Sequence, residues 1–230
     1  MKEILCNSAY FGVTVSLIGY GVGIMLKKKF KYAFLNPLLI SIIFVIGVVM
    51  LCGVDYESYE NSAQYLSYLL TPATVCLAVP LYQQMTLLKK NLAAVACGIL
   101  AGVLASLGSV LLLAFLFGLE HDVYVTLLPK SITTAIGMGV SEELNGIVTI
   151  TVAVIIITGV VGNVLADFVY KLFHVTHPVA KGVGLGTSAH AIGTAKALEM
   201  GEIEGAMGGL SIAVAGILTV IVAPIFSHIL

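Results

Sequence analysis

Long apolar runs separated by short charged loops occupy the whole chain, and they constrain its fold more than any other feature. A helix that crosses a bilayer needs roughly 20 predominantly apolar residues. The sequence predicts eight apolar or uncharged elements, at residues 9–26, 35–54, 61–88, 91–119, 123–140, 146–166, 182–195 and 205–230. No linker or soluble segment separates them. We therefore expect residues 1–230 to form a single all-α integral membrane domain.

Composition excludes several other classes of protein. Charged residues make up 10% of the chain and apolar residues 59%, whereas a soluble domain carries about 25% charged residues. All basic residues are lysines, and they form no basic stripe, so a nucleic-acid partner is not expected. The cysteines match no zinc or disulfide spacing. With no Ser-His-acid set or phosphate loop either, we expect no metal, no cofactor and no enzymatic activity.

The charged loops reverse sign between the two halves of the sequence. At an offset of about 116 residues, the basic loop 27–31 aligns near Glu142 and Glu143, and the acidic loop 55–60 aligns near the basic segment 171–181. Lys89 and Lys90 align near the acidic segment 199–204. Lysine-rich loops stay in the cytoplasm, so matching loops of the halves lie on opposite sides. The pattern favours an inverted-topology repeat with halves at residues 1–117 and 118–230; chance charges in short loops are the alternative.

The same rule predicts an orientation. Loops 27–31, 89–90 and 171–181 face the cytoplasm, and loops 55–60 and 120–122 face outward. The fifth element must then enter and leave on the outer side, which makes it re-entrant or broken at Pro129. The number of full crossings stays open.

Three of the apolar elements contain breaks rich in hydroxyl groups. Pro72 disfavours helix at Thr71 and suits the first turn of a new helix, which Thr71 can cap. Pro129 and Lys130 interrupt the fifth element, and glycines recur through residues 184–194. Helix N-termini at membrane depth offer free N–H groups and a positive dipole end. We therefore expect interrupted helices near the bilayer midplane to bind a small carboxylate; kinks satisfied by neighbouring helices are the alternative.

The predicted binding residues carry the hydroxyls, glycine, proline and imidazole of these breaks. They are Thr71, Pro72, Thr74, Ser131, Thr133, Thr134, Gly186, Thr187, Ser188, His190 and Thr194. Lys130 either attracts the anion or extends its ammonium to the membrane surface. His190 donates to the carboxylate, carries a proton, or only packs.

Four segments resemble the LrgB/CidB family. They are LTPAT at 70–74, AVPLY at 78–82, LPKSITTAI at 128–136 and PVAKGVGLGTSAHAIGT at 178–194. The last is long and specific, and the resemblance covers essentially the whole chain. Where the family commonly has an arginine in the last segment, this chain has Lys181, which keeps the charge and loses the bidentate fork.

The resemblance implies two functions of different classes. LrgB-like proteins are described as antiholin-like regulators of murein hydrolase activity and cell lysis, acting with a small LrgA/CidA-like membrane protein. The plant chloroplast glycolate/glycerate translocator has an LrgB-like C-terminal part, and bacterial members are linked to pyruvate movement. Interrupted helices and sign-reversed halves favour a carrier. We therefore expect a transporter of small monocarboxylates, proton- or ion-coupled or facilitative, in the bacterial cytoplasmic (inner) membrane, with the antiholin-like regulator as the alternative. A homo-oligomer stays open.

Overall fold

The computed structural model describes residues 8, 10–30, 37–69, 72, 75–76 and 78–230, and these residues form helices and turns with no strand among them. The chain divides into two compact units, Met1–Cys76 and Leu77–Leu230. The helices of the first unit are α1 (Phe11–Phe30), α2 (Pro37–Cys52) and α3 (Tyr56–Ser67). The helices of the second are α4 (Ala78–Gln83), α5 (Met85–Lys90), α6 (Leu92–Phe117), α7 (His121–Leu127), α8 (Thr134–Glu143), α9 (Val148–Leu172), α10 (Pro178–Met200) and α11 (Glu202–Ser227).

Small residues on α1 hold the first unit together. A Cβ on Gly12 would lie 2.6 Å from the Ala63 backbone nitrogen, so α1 and α3 approach closely there. The Gly12 N–H donates to the Ser62 hydroxyl at 2.9 Å. The Ser16 and Tyr59 hydroxyls, on the same two helices, are 2.8 Å apart. These bonds satisfy polar groups in the interior of a unit whose other contacts are largely apolar.

The acidic segment 55–60 differs from the expected loop. Asp55 caps α3 by accepting from the Ser58 N–H at 2.9 Å, and Glu57 lies in the first helical turn. A carboxylate at this end of a helix is stabilised by the dipole, so the acidic residues start the helix. Likewise Lys27, Lys28 and Lys29 lie in the last turn of α1, where cations are favourable.

Within the part of the chain that the structure describes, four helices are long and apolar enough to cross a bilayer: α1, α6, α9 and α11. At most 28% of the apolar window of each is buried within the protein, so most of that surface faces outward. The exposed side chains include Leu100, Leu104, Leu112 and Leu113 on α6. Such surface is favourable in lipid. The expectation of an all-helical chain with helices that can span a membrane is confirmed.

The second unit is built around one buried stripe of α6. Val95, Ile99, Val103 and Leu107 recur at four-residue spacing and are each at most 3% exposed. They pack with buried residues of α7, α10 and α11, among them Tyr124, Val183 and Met207. The buried hydroxyl of Thr151 in α9 donates to the Thr126 carbonyl at 2.9 Å and contacts the Ser141 hydroxyl at 2.7 Å. α7, α8 and α9 are thereby tied together around the turn that follows Leu127.

Candidate functional site

A lysine and two serines meet where α6 passes the turn between α7 and α8. The Lys130 ammonium lies 3.2 Å from the Ser106 hydroxyl and 3.1 Å from the Ser131 hydroxyl. The two hydroxyls are 2.9 Å apart. Lys130 and Ser131 occupy the turn because Pro129 prevents a continuous helix, so that α7 ends at Leu127 and α8 begins at Thr134. We call Ser106, Lys130 and Ser131 the lysine cluster.

The lysine cluster is partly buried among apolar helices. Ser106 is near the middle of the spanning helix α6, Ser131 is 6% exposed and Lys130 is half-buried. Lys130 forms no ion pair with any carboxylate of the described residues. Lys196, by contrast, pairs with Asp167 at 2.9 Å. A charged group at this depth normally pairs with another charge or lines a functional pathway.

The N-terminus of α8 adds a second positive feature beside the cluster. Thr133 is its N-cap, with extended backbone and no side-chain capping bond, and Thr134 is the first helical residue. Both are half-exposed. The first N–H groups of a helix have no partner within the helix and carry the positive end of its dipole. Electrostatically, this end of α8 therefore favours an anion.

The second predicted segment bends where α10 leaves helical geometry. Ala189 has φ −130° and ψ 18°, and His190 has φ 41° and ψ −133°. The buried His190 ring donates through Nε2–H to the Ile155 carbonyl at 2.9 Å. The Asn163 amide donates to the Ile192 carbonyl at 3.0 Å. Each of these two hydrogen bonds joins α9 to the bend, so α9 holds the bend in place.

Small residues of α9 make room for this bend. A Cβ on Gly159 would lie 2.7 Å from the His190 ring, and one on Gly162 would lie 2.6 Å from the Ala189 Cβ. The bend thus fits against α9 at two positions that carry no side chain. On the opposite side Gly186 contacts α11, where its Cβ would meet the Gly208 carbonyl.

Three hydroxyls of α10 differ in their hydrogen bonds. Thr187 donates to the Val183 carbonyl and Ser188 to the Gly184 carbonyl, each at 2.7 Å. Their protons are therefore engaged within the helix in this conformation. Thr194 is 1% exposed, and its hydroxyl has no hydrogen-bond partner among the described residues. A buried orphan hydroxyl is unusual in a native protein.

A cavity of about 550 Å³ runs between α6 and the first half of α10. Its polar lining groups include Asn91 and His177 at the helix ends and Thr187 deeper in the protein. Gly98 and Gly102 of α6 form part of its wall. Ser106 follows Gly102 by four residues and so continues the same face of α6 about 6 Å further on. The cavity wall therefore leads toward the lysine cluster, although none of the three cluster residues lines the cavity.

The predicted residues of the second unit fall into two groups. Lys130, Ser131, Thr133 and Thr134 lie at the turn between α7 and α8, whereas Gly186, Thr187, Ser188, His190 and Thr194 lie along the bent α10. Pro72 belongs to the first unit and is exposed and helical. Thr71 and Thr74 lie outside the described residues. A shared substrate site for all of them stays a prediction.

Sequence reasoning missed Ser106. The available signal was its hydroxyl in the middle of an otherwise apolar run, where polar groups need a partner. Its partners are 24 and 25 residues further along the chain. Among the described residues no group of three or more His, Cys, Asp or Glu side chains is placed to hold a metal ion.

Residues 16–229 match the family described as the LrgB-like family. Similar proteins include those named "Antiholin-like protein LrgB" from Bacillus mycoides (strain KBAB4), Bacillus cereus (strain B4264) and Bacillus anthracis (strain CDC 684 / NRRL 3495). Each is 39% identical to this chain over 218 residues, which cover 94% of this chain and 95% of the relative. No solved structure matches this chain.

Proposed function

This chain belongs to the LrgB-like family, and from that premise we propose that it is an antiholin-like regulator of murein hydrolase activity and cell lysis. The supporting observation is the name shared by relatives that are 39% identical over almost their whole length. The four long apolar helices among the described residues support an activity at a membrane. In this proposal the membrane is the bacterial cytoplasmic membrane, and a small LrgA/CidA-like membrane protein is the partner.

A complementation experiment tests the regulator. In a bacterial strain that lacks its own LrgB-like protein, expression of this chain with its LrgA-like partner should lower extracellular murein hydrolase activity on zymograms and slow detergent-induced lysis. The matched control is the same strain with an empty vector. Equal lysis curves and equal zymograms, with this chain detected in the membrane, would contradict the proposal.

A second candidate function, a carrier of small monocarboxylates, has support from the geometry. A cavity along α6 leads toward a lysine without an acidic partner among the described residues. A regulatory scaffold has no need of such a charge at the depth of a spanning helix, whereas a carrier does. The proposal includes interrupted helices at Pro129 and His190 and an inverted repeat of residues 1–117 and 118–230. Altered carboxylate or proton traffic would then influence lysis indirectly.

Uptake into proteoliposomes tests the carrier. Vesicles containing the purified chain should accumulate labelled pyruvate, glycolate or glycerate faster than protein-free vesicles, and an excess of unlabelled substrate should abolish the difference. Uptake equal to the leak of empty vesicles for all three substrates would reject this function and leave the regulator in place.

His190→Gln separates two roles of this residue. Glutamine can still donate to the Ile155 carbonyl, but it cannot acquire a proton and a charge. If His190 carries the coupling proton, the variant should transport with little pH dependence between pH 5 and 8, while substrate affinity changes less. Initial uptake rates measured across that range for both proteins provide the test. An unchanged pH profile would return His190 to holding the bend of α10.

A further inference from the structure

We propose that the lysine cluster of Ser106, Lys130 and Ser131 is a binding site for one monovalent carboxylate. Lys130 and Ser131 contact the ligand in this site, and Ser106 positions them. The inference deepens the carrier function and rests on it for the substrate class. It goes further in naming Ser106, in assigning the donors and in restricting the ligand to a single negative charge.

The cluster contains more hydrogen-bond donors than acceptors. An ammonium has three protons to donate and each hydroxyl has one. Lys130 donates to Ser106 and to Ser131, and one hydroxyl donates to the other. Whichever hydroxyl donates, one ammonium proton and one hydroxyl proton remain without an acceptor among the described residues. With Ser106 donating, as its geometry indicates, the remaining hydroxyl proton belongs to Ser131.

The leftover donors suit a carboxylate. They belong to the Lys130 ammonium and the Ser131 hydroxyl, whose heavy atoms are 3.1 Å apart. Two neighbouring donors can each bond one oxygen of a planar carboxylate, and such charge-assisted bonds are short and strong. A halide is a single atom, so it has no two separate oxygens to accept one bond from each donor. The helix N-terminus of α8, which begins three residues after Ser131, adds to the attraction for an anion.

The single positive charge of the site limits the ligand to one negative charge. Lys130 supplies a single positive charge, and no carboxylate of the described residues pairs with it. One carboxylate therefore neutralises the site, whereas a dicarboxylate would bring a second, uncompensated charge to the middle of a spanning helix. Uncompensated charge at this depth is costly. The site should therefore bind pyruvate or glycolate and discriminate against succinate.

Access to the site follows from α6. Gly98 and Gly102 line the cavity, and Ser106 lies on the same helical face one turn further. Lys130 is half-buried, so part of the residue stays accessible. A ligand in the cavity beside Gly102 is thus one turn of α6 from Ser106 and the leftover donors.

Ligand-induced thermal stabilisation of the purified protein in detergent measures binding without requiring transport. Pyruvate and glycolate should raise the Tm of the wild type, and succinate and chloride at equal concentration should raise it much less. Lys130→Met should weaken pyruvate binding about a hundredfold and Ser131→Ala about tenfold, since both lose a hydrogen bond to a charged ligand. Lys130→Arg should retain part of the affinity because the charge remains.

Ser106→Ala should weaken binding three- to tenfold because Lys130 and Ser131 lose their common partner. Ser106→Thr, which keeps the hydroxyl, should restore most of the affinity. The matched control is Ser109→Ala on the same helix, where an exposed hydroxyl bonds only the Ser106 backbone carbonyl. This control should bind pyruvate as the wild type does.

Stability without ligand separates a binding role from a structural one. Removal of a half-buried charge that has no acidic partner among the described residues should leave Lys130→Met about as stable as the wild type. A lower Tm of unliganded Lys130→Met, or equal pyruvate binding in wild type and Lys130→Met, would overturn the site. Chloride binding as tight as pyruvate binding would overturn the carboxylate class.

Uptake measurements distinguish this inference from the carrier function itself. Lys130-dependent pyruvate binding without uptake would support the site and reject the carrier. Pyruvate uptake with the same KM in wild type and Lys130→Met would support the carrier and overturn the site.

Discussion

Gly186→Ala is expected to leave little folded protein in the membrane, because the added methyl group has no room between α10 and α11. Its Cβ would lie 2.5 Å from the Gly208 carbonyl oxygen and 2.7 Å from the Ser211 Cβ. The nearest obstacle is backbone, which cannot rotate away as a flexible side chain can. The helices must separate along their contact, and overpacking of this kind costs about 3 kcal/mol. Fluorescence-detected size-exclusion chromatography and Tm in detergent would measure the loss.

Gly108→Ala is the matched control for this substitution. It makes the same chemical change in α6, where a Cβ would meet nothing within 4 Å. We expect it to be as stable as the wild type or more stable by up to about 1 kcal/mol, because alanine favours a helix over glycine. If both variants were equally stable, close packing of α10 on α11 would not be what holds the second unit together.

Ala94→Trp is expected to reduce substrate uptake more than tenfold if the carrier function holds. Ala94 lines the cavity between α6 and α10 near its Asn91 end. An indole there fills the space through which a substrate would reach the lysine cluster. Since Ala94 is exposed, the larger side chain fits without disturbing the core. Initial uptake rates in proteoliposomes, normalised to the amount of inserted protein, provide the measurement.

Ala93→Trp controls for the effect of a tryptophan on α6. Ala93 is the neighbouring residue, is also exposed and does not line the cavity. This variant should transport at the rate of the wild type. Equal inhibition by both substitutions would mean that the cavity is not the substrate path.

The membrane character of the protein and its longest helices are predictable from the sequence. The helices α6, α9 and α11 begin within three residues of the expected limits at 91, 146 and 205. Lipid imposes a local requirement, since each spanning segment must satisfy its own backbone and be apolar over its length. The ends are less predictable: α9 continues past Asp167 and Lys171 to Leu172. Asp167 is accommodated by an ion pair with Lys196 of α10, which is a contact between helices.

Two places of non-helical backbone in the second unit fall in segments that the sequence singled out, although their surroundings were not predictable. Pro129 indicates the turn between α7 and α8 because proline removes one helix hydrogen bond and crowds the preceding turn. The bend at His190 has no proline, and the glycine-rich sequence indicated only the region. The exact place of the bend depends on the Ile155 carbonyl and on the absence of a side chain at Gly159, both on α9. Such a bend is stable only where a neighbour supplies the missing partners.

By itself the sequence determined that this chain is a helical membrane protein, where its apolar runs lie, and that Lys130 and Ser131 interrupt one of them. Only the tertiary structure decided that Ser106 joins them, that Thr187 and Ser188 bond their own helix, and that a cavity runs along Gly98 and Gly102. Partition into lipid depends on each segment's own hydrophobicity. Which helix faces touch depends on close packing of small residues and on hydrogen bonds between distant segments, and lipid favours no particular pair.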